Sequence, residues 1–105
     1  MKLNDQVAII TGAGSGMGAA IAERFAQAEI AGLAIADVNI DAATKVADDL
    51  SSRYGCTAIP IAADVSNQDQ VEAMAAKTQE QFGRIDILVN NAGICPFVSW
   101  EDTTL

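Results

Sequence analysis

Thr11-Gly12-Ala13-Gly14-Ser15-Gly16-Met17-Gly18 sets four glycines on alternate positions directly after the apolar run Val7-Ala8-Ile9-Ile10, and an amphipathic stretch follows. A strand that ends in a glycine-rich turn and opens a helix is suited to holding an anionic group, most often a phosphate. The first N–H groups of a helix lack internal acceptors, and the helix dipole places partial positive charge at the same point. Glycine removes the Cβ atoms that would keep a pyrophosphate from those amides. Asp37 is the second chemical signal, 19 residues beyond Gly18 and at the end of the next apolar run. A carboxylate there can accept both ribose hydroxyls of an adenosine, and its charge repels a 2′-phosphate. The neighbouring positions hold Ser15, Val38 and Asn39 rather than a cation, which points to NAD over NADP. Each signal has a plainer explanation. Asp37 alone could be a solvated turn residue, and a tight helix–strand packing needs a glycine or two, though not four in alternation. The G-x-G-x-x-A form of the dinucleotide fingerprint fits Gly14 to Ala19 but leaves Gly12 over.

The elements that must position these residues are legible as alternating runs. Strand-like segments fall at Val7–Ile10, Leu33–Ala36, Ala58–Ala62 and Ile85–Val89, nearly continuous in apolar residues, as in parallel strands covered on both faces. Between them, Ile21, Ala22, Phe25 and Ala28 share one helical face. Ala43, Val46, Ala47, Leu50 and Tyr54 share a second before Gly55, and Val71, Met74, Ala75, Thr78 and Phe82 a third before Gly83. Asn39 and Ser66 are the expected N-caps, with Asp69 completing a box-like arrangement after Ser66. The order βαβαβαβ with right-handed crossovers predicts a Rossmann-like, doubly wound parallel sheet in three α/β/α layers, truncated after the fourth strand. That fourth strand should lie on the far side of the first.

At 105 residues the chain is one domain at most, and half its residues are hydrophobic. A net charge of −8 argues against nucleic-acid and anionic-membrane surfaces, which need clustered Lys and Arg. Cys56 and Cys95 are far apart, in keeping with reduced thiols, and without histidine or a Cys cluster a zinc site is not expected. Met1 to Asp5 leads into no long apolar segment, and no run approaches membrane-spanning length, so the protein is expected to be soluble and cytoplasmic.

Taken as Thr11-Gly12-x-x-x-Gly16-x-Gly18, the turn resembles that of the short-chain dehydrogenase/reductase family. Asp64-Val65 after the third strand, Asp86-Ile87-Leu88-Val89 and then Asn90-Asn91-Ala92-Gly93 agree with it, so the resemblance covers essentially the whole chain. It implies that residues 1–105 are the NAD-binding part of an oxidoreductase that interconverts an alcohol and a carbonyl. Gly12, Ser15, Gly16, Met17 and Gly18 would surround the pyrophosphate and adenosine ribose, mostly through backbone, and Asp37 would take the ribose. Asp64 would accept from the adenine amino group, the Val65 N–H would reach a ring nitrogen, and Asn91 and Gly93 would lie along the cofactor. Asn90 would instead tie the fourth strand to its neighbours. The family also implies a homo-oligomer for the full-length enzyme.

The family's catalytic Ser and YxxxK do not occur. Tyr54 is the sole tyrosine, with Ala58 rather than Lys at the fourth place after it, and Ser99 follows Asn90-Asn91-Ala92-Gly93 too closely. No residue of the chain is therefore expected to be catalytic, and the 105 residues alone are expected to be inactive. They are either a piece of a longer enzyme, the reading favoured by domain size, or a short nucleotide-binding module without chemistry. An S-adenosylmethionine-dependent methyltransferase would want an acid just before the glycines, where Thr11 stands. An unpaired edge on the last strand would leave the piece marginally stable and prone to self-association. Cysteine, proline and aromatic residues between Ile94 and Trp100 border the expected substrate cleft, as either cleft or core contacts.

Overall fold

The computed structural model describes residues 3–14 and 16–91. Seven elements alternate: β1 (Val7–Thr11), α1 (Gly16–Gln27), β2 (Gly32–Asp37), α2 (Ile40–Tyr54), β3 (Thr57–Ala62), α3 (Gln68–Phe82) and β4 (Ile87–Asn90). The strands are all parallel, in the order β3-β2-β1-β4. The chain therefore steps twice in one direction and then returns across the first strand. Right-handed crossovers then require α3 on the face opposite α1 and α2, and the packing agrees.

Alternation along each strand sorts the core into two halves. Ala8 and Ile10, with Leu33 and Ile35, face Ala22 and Ala26 of α1 and Ala43, Ala47 and Leu50 of α2. Ile9, Ala34, Ala36 and Ile61 face Met74 of α3. In-register pairing of Ala8 with Leu33 and Ile87, and of Ile9 with Ala34 and Leu88, keeps each face continuous across the sheet. β1 and β2 are buried along nearly their whole length, whereas β3 and β4, at the two edges among the described residues, are half-buried. Alanines at the helix–sheet contacts let α1 and α2 come close. At the start of β2 the absence of a Cβ on Gly32 makes room for the Phe82 ring, which an added Cβ would meet at 2.5 Å.

Several strand ends extend one residue past the expectation, and two boundaries depart from it for a visible reason. β4 begins at Ile87 instead of Ile85, because the Asp86 carboxylate (Oδ2) takes the Val7 N–H at 2.8 Å while its own N–H donates to the Val7 carbonyl at 2.9 Å. A side chain thus replaces the ladder bond that a longer strand would have made. The cap of α3 is Asn67 and not Ser66: Asn67 Oδ1 accepts from the Gln70 N–H at 3.1 Å. Ser66 is already engaged, donating its N–H (3.0 Å) and its hydroxyl (2.7 Å) to Asp64 Oδ1. Asn39 caps α2 as expected, and Gly55 and Gly83 close α2 and α3 in the left-handed conformation. Past the end of α1 that conformation falls to Glu29, at φ 63°, where nothing in the sequence signalled it.

Candidate functional site

The sequence-predicted residues converge at the carboxyl ends of the strands. β1 ends at Thr11, and Gly12 turns the chain at φ 63°. The buried Ala13 donates its N–H to the Ala36 carbonyl at 3.0 Å, which pins the turn to β2. Gly16, at φ 61°, opens α1. Gly18 is needed for close approach, since a Cβ there would lie 2.2 Å from the Gly12 carbonyl oxygen and 2.8 Å from Asn91 Nδ2. The first turn of α1 is thus pressed onto the strand end. It carries no acidic residue, whereas α2 and α3 have Asp41 and Asp69 in theirs. An anion arriving at α1 meets no competing carboxylate in that turn.

Asp37 closes the β2 side of this cradle. Its Oδ2 accepts the Gly14 N–H and its Oδ1 the Asn39 N–H, each at 2.9 Å. On the β4 side, the Asn91 N–H donates to Thr11 Oγ1 at 3.0 Å, and Asn91 Nδ2 reaches the Gly12 carbonyl at 3.4 Å. The Thr11 hydroxyl, on a residue only 3 % exposed, has Asn90 Oδ1 at 3.2 Å and the Val89 carbonyl at 3.3 Å as acceptors. Thr11 therefore fastens β1 to β4 at the height of the turn. The sequence held Thr11 only as a motif letter; its signal was a hydroxyl at the last position of an otherwise apolar strand.

Asp64 and Val65 follow β3. Asp64 is exposed, and its two bonds from Ser66, hydroxyl first and then N–H, hold its carboxyl below the usual range. The Asp64 N–H donates to Gln70 Oε1 at 2.8 Å, so α3 also anchors this loop; Gln70 had drawn no attention in the sequence. Val65 is buried. Met17 and Val38, both 70 % exposed, flank the cradle with apolar surface. Ser15 and Gly93, with the Ile94 to Trp100 segment, lie outside the described residues. A groove of about 380 Å3 between α1 and α2, lined in part by Glu23, Val46 and Asp49, runs along the flank of these helices and shares only Gly16 with the motif residues.

Tyr54 stands at the opposite end. Its hydroxyl donates to Glu23 Oε2 at 2.6 Å, and the Arg53 guanidinium bonds the same oxygen at 2.8 Å and Asp49 at 3.0 Å. These contacts brace α1 against α2. Among the described residues no group of His, Cys, Asp and Glu could hold a metal ion, and no helix is long and apolar enough to cross a membrane.

The fold and this arrangement define a Rossmann-like α/β protein with a glycine cradle at the strand-order reversal. The model of the short chain dehydrogenase family matches residues 6–105. The chain belongs to that family. It is 39% identical over 105 residues to L-rhamnose 1-dehydrogenase (NAD(P)(+)) of Azotobacter vinelandii, a match that spans 97% of this chain and 41% of that relative. A 7α-hydroxysteroid dehydrogenase solved with NADH and 7-oxo glycochenodeoxycholic acid superimposes at a TM-score of 0.83 with 39% identity, covering 89% of this chain and 36% of that one. L-sorbose reductase from Gluconobacter frateurii, solved with NADPH and L-sorbose, gives 0.83 at 35% identity over 89% of this chain and 35% of that one. The chain thus spans about two fifths or less of the length of these relatives.

Proposed function

We propose that residues 1–105 are the NAD-binding part of an oxidoreductase that interconverts an alcohol and a carbonyl. The observation that carries this reading is the Asp37 carboxylate, held at 2.9 Å from the Gly14 N–H beside a helix start with no acid in its first turn. Gly12, Ser15, Gly16, Met17 and Gly18 surround the pyrophosphate. Asp37 accepts the adenosine ribose hydroxyls. Asp64 and the Val65 N–H take the adenine, and Asn91 and Gly93 lie along the cofactor. Bound there, a nicotinamide dinucleotide supplies hydride exchange. The chain's own residues bind and orient it, and none of them is assigned a catalytic role. Substrates are small alcohols and ketones, in the range suggested by relatives that act on sugars and a bile-acid ketone. The whole protein works as a cytoplasmic homo-oligomer.

NAD is preferred over NADP because a carboxylate accepts hydroxyl protons but repels a phosphate, and Val38 and Asn39 beside it carry no positive charge. Calorimetric titration of wild type and Asp37→Ala with NAD and NADP tests this. Two charge-assisted hydrogen bonds are lost, at about 1.5 kcal/mol or more each, so NAD should bind about a hundredfold or more weakly while NADP weakens little. An unchanged NAD-to-NADP ratio would refute the ribose assignment.

A further inference from the structure

We infer that Gly14 is a specificity-determining residue, acting by fixing the Asp37 carboxylate and not by touching the nucleotide. The inference rests on the dinucleotide reading given above. Both Asp37 oxygens are oriented by backbone donors from different segments: Gly14 of the β1–α1 turn bonds Oδ2, and Asn39 of the β2–α2 connection bonds Oδ1. An ionised carboxylate has about four acceptor sites. With one on each oxygen occupied by an amide, each oxygen keeps one to offer, and two vicinal ribose hydroxyls bring two donors. A 2′-phosphate brings acceptors and negative charge and can satisfy neither.

The Gly14 amide can reach Oδ2 because position 14 has no side chain. A Cβ there would lie 2.8 Å from Asp37 Oδ2, 3.0 Å from its Cγ and 2.9 Å from the Ala42 Cβ in the first turn of α2. Unlike Gly12 and Gly16, Gly14 is not at positive φ, so its glycine is explained by proximity and not by backbone conformation. Any side chain at 14 must displace the carboxylate, the start of α2, or both. The Gly14 N–H bond to Oδ2 is thereby strained, and the aim of Asp37 comes to rest mainly on Asn39.

The test is a double-mutant cycle read by calorimetric binding of NAD, NADP and ADP-ribose to wild type, Gly14→Ala, Asp37→Ala and the double variant. Gly14→Ala should lower the NAD-to-NADP affinity ratio about tenfold, with ADP-ribose weakened in step with NAD, and should change the ratio no further once Asp37 is alanine. If Gly14→Ala leaves the ratio intact while Asp37→Ala collapses it, the inference is overturned and the ribose reading stands. If Gly14→Ala shifts the ratio equally in both backgrounds, it acts by direct contact with the ligand, which also overturns the inference. If neither single variant alters the ratio, the ribose reading falls and takes the inference with it. Should Gly14→Ala fail to fold, Gly14→Ala/Ala42→Gly removes the contact with α2 and keeps the one with Asp37. That variant should melt as a folded protein and still show the lowered ratio; a wild-type ratio in it would overturn the inference.

Discussion

The two ends of the sheet differ in what their side chains do. At the amino end, side-chain pairs and ring packing reinforce backbone bonds such as those from Leu3 to the Ala28 carbonyl and from Ala31 to the Gln6 carbonyl. Tyr54 and Arg53 of α2 converge on Glu23 of α1, Arg84 pairs Nε and Nη2 with the two Asp86 oxygens, Asp86 takes the Val7 amide, and Phe82 fills the space over Gly32. At the carboxyl end backbone donors and glycines carry the cradle: the Ala13, Gly14 and Asn39 amides each bond an acceptor on β2, and Gly18 brings main chain against main chain. Bonded side chains hold a shape but use up their donors and acceptors, whereas a glycine turn leaves main-chain groups able to meet a ligand. On the proposed function, stability and recognition fall at opposite ends of the same strands.

That contrast breaks if changes at the amino half alter nucleotide selectivity, or if changes at the carboxyl end leave it intact. The largest stability effect is expected from Leu50→Ala, which removes a fully buried side chain between α2 and the sheet. It should cost about 2–5 kcal/mol in denaturant unfolding and leave the NAD-to-NADP ratio unchanged. Thr11→Val sharpens the comparison because Thr11 is a bonded side chain placed at the recognition end. It strips the Asn91 N–H and Asn90 Oδ1 of a partner and should cost about 1–3 kcal/mol. Asn91 Nδ2 reaches the Gly12 carbonyl, so nucleotide affinity should fall alongside stability. Asn67→Ala should cost about 1 kcal/mol through the lost cap of α3. Ser66→Ala should cost less than Asn67→Ala; the reverse order would restore Ser66 as the cap.

How much of this was legible in the sequence follows from the range of each interaction. Strand order, layer assignment and the buried faces of α1, α2 and α3 were readable because periodicity and crossover handedness are repeated over many residues. Asn39, Gly55 and Gly83 were readable because capping is local and each acts within one turn. The failures are contests between neighbours. Ser66 and Asn67 are both good caps, and the choice was made by Asp64, two residues upstream, which captured Ser66 first. Ile85 looks like strand, yet the side chain of Asp86 took the ladder's place. The bonds of Thr11 to Asn90 and Asn91, and of Gly14 to Asp37, were not legible for a different reason. Each joins segments brought together only by folding, such as Gly14 and Asp37, 23 residues apart, and no spacing rule covers such pairs.

Acid titration gives the smallest and most discriminating test. Glu23 at the amino end and Asp64 at the carboxyl end both have carboxyl groups held below the ordinary range, Glu23 first by the Tyr54 hydroxyl and then by Arg53, Asp64 by Ser66. A depressed folded pKa contributes stability that is present above the unfolded value and lost as pH falls through the folded one. Both groups thus predict weakening on acidification through and below the ordinary carboxylate range, near pH 4. Their partners differ in reach, however. Glu23 and Tyr54 are separated by 31 residues and meet only in the folded protein, whereas Ser66 is two residues from Asp64 and can still find it in an unfolded chain. Only a contact that unfolding abolishes shifts stability with pH. Melting temperatures followed from pH 7 down to pH 3 should therefore fall less steeply for Tyr54→Phe than for wild type, while Ser66→Ala should keep nearly the wild-type slope. Equal flattening in the two variants would mean that the Asp64 turn is as dependent on the folded state as the α1–α2 brace, and the division between the ends would not extend to their charges.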